Sequence, residues 1–104
     1  MLELRPNCEL CDGELPPESS DARICTYECT YCARCAEDVL HDVCATCGGN
    51  LVPRPIRPRK SYRPDLKLGL DHRPASVTCV HSRWTMEEVE ELSKRLRGIA
   101  PRDR

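Results

Sequence analysis

Apolar residues fall into an ordered pattern most clearly near the end of this chain. Val89, Leu92, Leu96 and Ile99 recur at spacings of three and four, which places them on one stripe of a helix. The preceding Thr85-Met86-Glu87-Glu88 reads as a capping box, and Trp84 and Val89 are placed to close a hydrophobic staple across it. Gly98 followed by Pro101 marks the stop, so a helix over about Met86 to Arg97 is expected. Glu87, Glu88, Glu90 and Glu91 lead it and Lys94, Arg95 and Arg97 close it, as the helix dipole prefers. A helix of this length is marginal alone. Its stripe must dock on the rest of the chain, on a second copy or on another protein.

Elsewhere the pattern is weaker. After Cys35 the run AEDVLHDV holds no turn former, and Cys32, Cys35, Ala36 or Val39, and Val43 recur at helical spacing, which predicts a short helix opening at Cys32. The alternations LKLGL and SVTCV within residues 66–80 predict one short strand or hairpin. Between these regions lies VPRPIRPRKSYRP. Pro53, Pro55, Pro58 and Pro64 exclude helix and central strand, and Arg54, Arg57, Arg59, Lys60 and Arg63 repel one another, so an extended segment is expected.

The 104 residues include no Phe, one Trp and three Tyr, too few large side chains for a conventional core, but nine Cys. Small folds with weak cores are stapled by disulfides or by metal. The opening MLELRPNCEL carries Glu3 and Arg5 and reads as neither a signal peptide nor a membrane anchor, so a reducing cytoplasm is the expected compartment. There, paired cysteines bind metal more often than they oxidise.

Eight of the cysteines form four close pairs: Cys8 with Cys11, Cys25 with Cys29, Cys32 with Cys35, and Cys44 with Cys47. Two thiolates two or three residues apart reach one ion from a single tight turn, and two such turns complete a tetrahedral four-thiolate zinc site. Disulfides within such short spacings are strained and reactive, a poor staple. Eight thiolates make two full sets with no open coordination position, so two structural Zn2+ ions are expected and a catalytic metal is not.

The pairing follows from local structure. Cys8-Glu9-Leu10-Cys11-Asp12-Gly13 and Cys44-Ala45-Thr46-Cys47-Gly48-Gly49 read as knuckles, because a glycine behind the second Cys permits the positive φ that turns amides toward sulfur. An early knuckle joined to two ligands at the start of a helix is a treble clef. Cys8, Cys11, Cys32 and Cys35 are therefore assigned to one ion, and Cys25, Cys29, Cys44 and Cys47 to the other. The alternative is sequential: Cys8, Cys11, Cys25 and Cys29 against Cys32, Cys35, Cys44 and Cys47.

This spacing resembles the RING-type cross-brace over residues 8–47, with Cys29 where many RING domains have His. The stretches MLELRPNCELCD, ARICTYECTYCARCAE and CATCGGNLVPRP are similar to a small bacterial family of unknown function with a zinc-binding, RING-like character, over about residues 1–55. The resemblance implies metal binding and brings no activity. It does not extend to ubiquitin ligation. Ligase RING domains place an apolar residue after the first ligand and an aromatic or apolar contact between the sixth and seventh, often with Pro after the seventh and a basic residue past the eighth. Here Glu9 follows Cys8, the interval from Cys35 to Cys44 has no aromatic, Ala45 follows Cys44 and Gly48 follows Cys47.

Other chemistry fares worse. Cys29, Cys32 and Cys35 match three ligands of a ferredoxin cluster motif, but the fourth Cys and its Pro are missing. No βαβ pattern surrounds any pair to suggest a redox dithiol. His41, His72 and His81 stand at no recognisable catalytic spacing, and Cys79 reads as a lone small apolar residue rather than as a third metal site with His81.

Charge divides the chain. Residues 1–50 carry ten acids against three bases, and residues 51–104 carry thirteen bases against seven acids. Two four-thiolate zinc sites would make the first part more acidic still, which disfavours nucleic acid as its partner and leaves only the basic arm for that role. The reading is a small metal-stabilised α+β protein. A RING-like, cross-braced double-zinc domain with a short hairpin and one short helix spans 1–52, a basic Pro-rich linker 53–82, and an amphipathic helix with its tail 83–104. No enzyme and no membrane partner are expected. The expected partner is another protein or a second copy, engaged through Val89, Leu92 and Leu96.

Overall fold

Three short strands carry the sheet in the computed structural model, which describes residues 1–104. Strands β1 (Ala22–Ile24) and β2 (Thr30–Cys32) form an antiparallel hairpin with Ala22 opposite Cys32 and Ile24 opposite Thr30. Strand β3 (Val52–Pro53) pairs with the other edge of β1, giving the order β2-β1-β3. Pro53 is tolerated because β3 is an edge strand, where a missing N–H breaks no further ladder. The short hairpin expected for this fold is thus the β1–β2 hairpin. Residues 66–80 contain no strand: Lys67 at φ 51° and Gly69 at φ 87° turn the chain, so the LKLGL alternation never becomes extended.

The short helix differs from its expected form. Cys32 closes strand β2, and a π-helical turn spans Cys35–Val39, so only Cys35 of that pair is helical. Pairing of Thr30 and Tyr31 with β1 overrides the helical periodicity that Cys32 suggested. The turn ends where Leu40 donates its N–H to the Cys35 carbonyl at 2.8 Å.

The C-terminal helix α1 spans Met86–Leu96, one residue shorter than expected, with Arg97 as its C-cap. Its capping box is complete: Glu88 N–H donates to Thr85 Oγ1 at 3.2 Å, and Thr85 N–H donates to Glu88 Oε1 at 3.1 Å. The helix docks on its own chain. Val89 is 1% exposed and belongs to the same buried cluster as Cys8, Cys44, Leu40, Tyr31 and Leu51, with Trp84 packed alongside. Burying one valine contributes about 1.5–3 kcal/mol, enough to fix a marginal helix. Ser93, also 1% exposed, donates its hydroxyl to the Leu40 carbonyl at 2.7 Å. Of the three ways its stripe could be covered, by the rest of the chain, a second copy or another protein, the first accounts for Val89, while Leu92 and Leu96 remain half-buried. No helix is long and apolar enough to cross a membrane.

The segment expected as a linker is partly built into the head. Arg54 is 4% exposed; its guanidinium donates to the carbonyls of Arg5, Leu15 and Pro16, while its Nε has no partner. Arg57 donates to the carbonyls of Leu2 and Arg73. Residues 76–82 then run along residues 4–9 as an extended strap. Ser76 N–H donates to Leu4 O, Ser82 N–H to Glu9 O, and the Asn7 side chain both accepts from and donates to the backbone of Val80.

Candidate metal centres

Each cysteine pair is presented by a turn whose amides face sulfur. In the first knuckle Cys11 N–H points at Cys8 Sγ at 3.5 Å; the left-handed position is taken by Asp12 at φ 63°, not by Gly13 as the glycine pattern suggested. In the last knuckle Gly48 does take it, at φ 77°, and Gly49 N–H points at Cys47 Sγ at 3.4 Å. Tyr27 N–H faces Cys25 Sγ at 3.3 Å and Cys35 N–H faces Cys32 Sγ at 3.4 Å. Four amide dipoles thus bear on sulfur atoms, the arrangement that stabilises thiolate over thiol.

The sulfurs of Cys8, Cys11, Cys32 and Cys35 all lie within 4.8 Å of one another. Those of Cys25, Cys44 and Cys47 form a second such group. The pairs brought together are the interleaved ones and not the sequential ones. Cys11 and Cys32 sulfurs are 3.7 Å apart, against an edge of about 3.8 Å for four sulfurs set tetrahedrally at ~2.3 Å from zinc. Cys29 stands outside the 4.8 Å group, although it too is buried. All nine cysteines are unbridged. Cys79 is exposed and lies in neither group, so it forms no third site with His81, whose Nε2 instead meets Asp12 Oδ1 at 3.0 Å.

Electrostatics fit a dication. Burial pushes the Cys8 and Cys35 thiols up, and hydrogen bonds to Cys25 and Cys44 push Cys29 up. Burial also raises Cys47, to about 12. Cys44 moves the other way because the Cys25 and Cys29 thiols donate to it. At Cys11 burial opposes ionisation, yet the Gly13 amide and the thiols of Cys8, Cys32 and Cys35 bring it down to about 7. Each cluster can therefore hold some charge but not four adjacent thiolates unless a cation offsets their repulsion. The two groups are close enough to hold two metal ions, and an all-sulfur donor set is compatible with zinc.

Three supporting residues were not identified from the sequence. Tyr31 is fully buried, with its hydroxyl 3.4 Å from Cys44 Sγ, and burial and that thiolate hold its phenol protonated. Glu9 is 6% exposed; its Oε2 accepts from Thr30 N–H at 2.5 Å and Arg5 Nη1 at 2.7 Å, tying the first knuckle to β2. Asn7 brackets the strap. The repeated Cys-Thr-Tyr was the one available signal for Tyr31, since its second copy falls on the buried strand. Nothing in the sequence marked Glu9 or Asn7 as buried.

A family model described as protein of unknown function, DUF1272, matches residues 1–57. An uncharacterised protein of Rhizobium meliloti (strain 1021) is 66% identical over 58 residues, which is 56% of this chain and 69% of that protein. No solved structure matches. The knuckle Cys8-Glu9-Leu10-Cys11, the segment from Cys25 to Cys35 and the knuckle Cys44-Ala45-Thr46-Cys47 all lie inside the matched span, and on that basis the chain belongs to the DUF1272 family of unknown function.

Proposed function

We propose that the protein is a non-enzymatic, cytoplasmic interaction module whose RING-like, treble-clef head is held by two structural zinc ions. One ion is held by Cys8, Cys11, Cys32 and Cys35, and the other by Cys25, Cys29, Cys44 and Cys47. The observation that carries this reading is the interleaving of the pairs, with a backbone amide aimed at sulfur in each turn. Cys29, buried but outside the group of Cys25, Cys44 and Cys47, completes the second set once its thiol turns onto the ion. Four sulfurs on each ion leave no position for substrate or water, so the metals stabilise a loop-rich surface and do not react.

Ligase-type activity is not part of this reading. Glu9, which stands where ligase RING domains carry an exposed apolar contact, is turned inward onto Thr30 and Arg5. The surfaces left for partners are therefore those that α1 and the strap do not cover. Native mass spectrometry of the chain purified under reducing conditions tests the proposal. Two zincs per chain is the expected result; one zinc, iron with sulfide, or disulfides without metal would refute it.

A further inference from the structure

The stretch from Pro58 to Arg73 is a closed loop, not a trailing linker. Leu70 N–H donates to Pro58 O at 2.9 Å and Asp71 N–H to Arg59 O at 3.1 Å, so main-chain bonds join its two ends. Gly69 makes the closure possible: at φ 87° it is buried, and a Cβ there would lie 2.7 Å from Arg59 O and from Lys60 backbone atoms. Inside, Ser61 Oγ accepts from Leu68 N–H and donates to Arg63 O, while Leu66 N–H donates to the same carbonyl. The loop is shaped before anything binds it.

What it displays is distinctive. Arg59, Lys60, Arg63, Lys67 and Arg73 are all exposed, and none forms an ion pair with any carboxylate of the chain. The neighbouring cation Arg54 is consumed by backbone carbonyls of the head, and Arg57 bridges the Leu2 carbonyl of the head and the Arg73 carbonyl of the loop. The head's own acids therefore do not neutralise the loop. Interleaved with the free cations are Tyr62 at 76% exposure, Leu66 at 54% and Leu68 at 46%. Leucines gain nothing from facing a phosphate backbone, whereas they bury well against apolar protein side chains. An acidic head on the same chain also repels a long polyanion more than a short acidic segment.

We infer that the loop of residues 58–73 is a docking surface for an acidic protein segment that also carries apolar side chains. Its cations meet the carboxylates, and Tyr62, Leu66 and Leu68 cover the apolar positions. This rests on the reading of the protein as a zinc-held interaction module and names the chemistry of its partner.

The test is fluorescence anisotropy with the full zinc-loaded chain and a labelled peptide of about a dozen residues repeating Glu-Glu-Leu, alongside an oligothymidylate of similar length. The peptide should bind, and the double substitution Lys60→Glu with Arg63→Glu should weaken it about tenfold or more, since both change sign at exposed, unpaired positions. Leu66→Ser with Leu68→Ser should weaken the peptide several-fold and leave oligothymidylate unchanged. No peptide binding, unchanged affinity in the charge-reversed protein, or tighter binding of oligothymidylate would overturn the inference, the last by assigning the loop to nucleic acid. Zinc content measured on the same samples separates the failures. A two-zinc protein that ignores the peptide loses only the loop's role, whereas a protein without zinc loses the underlying reading.

Discussion

Replacing Glu9 by Ala should destabilise the zinc-loaded head out of proportion to one surface acid. Its carboxylate is the hydrogen-bond acceptor for Thr30 N–H, in a residue with no exposure, and it pairs with Arg5, which is itself largely covered. Removal leaves a buried N–H without a partner, at about 1–3 kcal/mol, and a partly buried guanidinium without its counterion. A total of roughly 2–4 kcal/mol follows, discounted from the sum because Arg5 can turn toward water. For a chain near this size each kcal/mol moves the melting temperature by about 4–8 °C, so a fall of roughly 8–32 °C is expected. Differential scanning calorimetry on zinc-saturated protein reads it. Glu3→Ala is the control, because Glu3 also reaches Arg5, at 3.4 Å, but with a side chain half exposed, and it should cost less than about 1 kcal/mol. Equal shifts for Glu3→Ala and Glu9→Ala would refute the account of Glu9 as the tie between knuckle and strand.

Other perturbations separate the remaining contacts. Cys25→Ser should release the ion assigned to Cys44 and Cys47 more readily than the one assigned to Cys8 and Cys11, as read by chelator competition; equal loss from both would count against independent sites. Lowering the pH should release metal, because protons compete for thiols such as Cys8, Cys35 and Cys47 that burial already holds high; zinc retained in strong acid would contradict thiolate ligation. Ser93→Ala removes the buried hydroxyl bonded to Leu40 O and should cost about 1–2 kcal/mol, with faster amide exchange in α1 and little change in zinc content. Gly48→Ala puts a Cβ 2.7 Å from Leu96 Cδ1 at a positive φ and should cost about 1–3 kcal/mol, loosening the same helix; a neutral result would mean α1 is not seated on that knuckle.

Features fixed by local chemistry are legible in the residues alone. The Thr85 box, the acids leading and bases closing the helix, and the stripe beginning at Val89 specify helix α1 to within a residue, because capping and periodicity are short-range. The spacing of Cys8, Cys11, Cys44 and Cys47 specifies knuckles for the same reason. Which knuckle meets which pair is a long-range matter that spacing constrains only weakly, and there the tertiary structure places Cys32 and Cys35 beside the first knuckle and Cys25 beside the last. Local patterns misled where packing outweighed them: strand pairing took Cys32 from the helix, positive φ at Lys67 and Gly69 removed the strand suggested by LKLGL, and Asp12 served in place of Gly13. Only the folded chain shows Glu9, Asn7 and Arg54 buried, since each is polar and is covered by segments distant in sequence. The charge imbalance between the two halves was plain from composition. That Arg54 and Arg57 turn inward while the five cations between Arg59 and Arg73 stay unpaired depended on closure of a loop about Gly69, which no pattern of residue types announces.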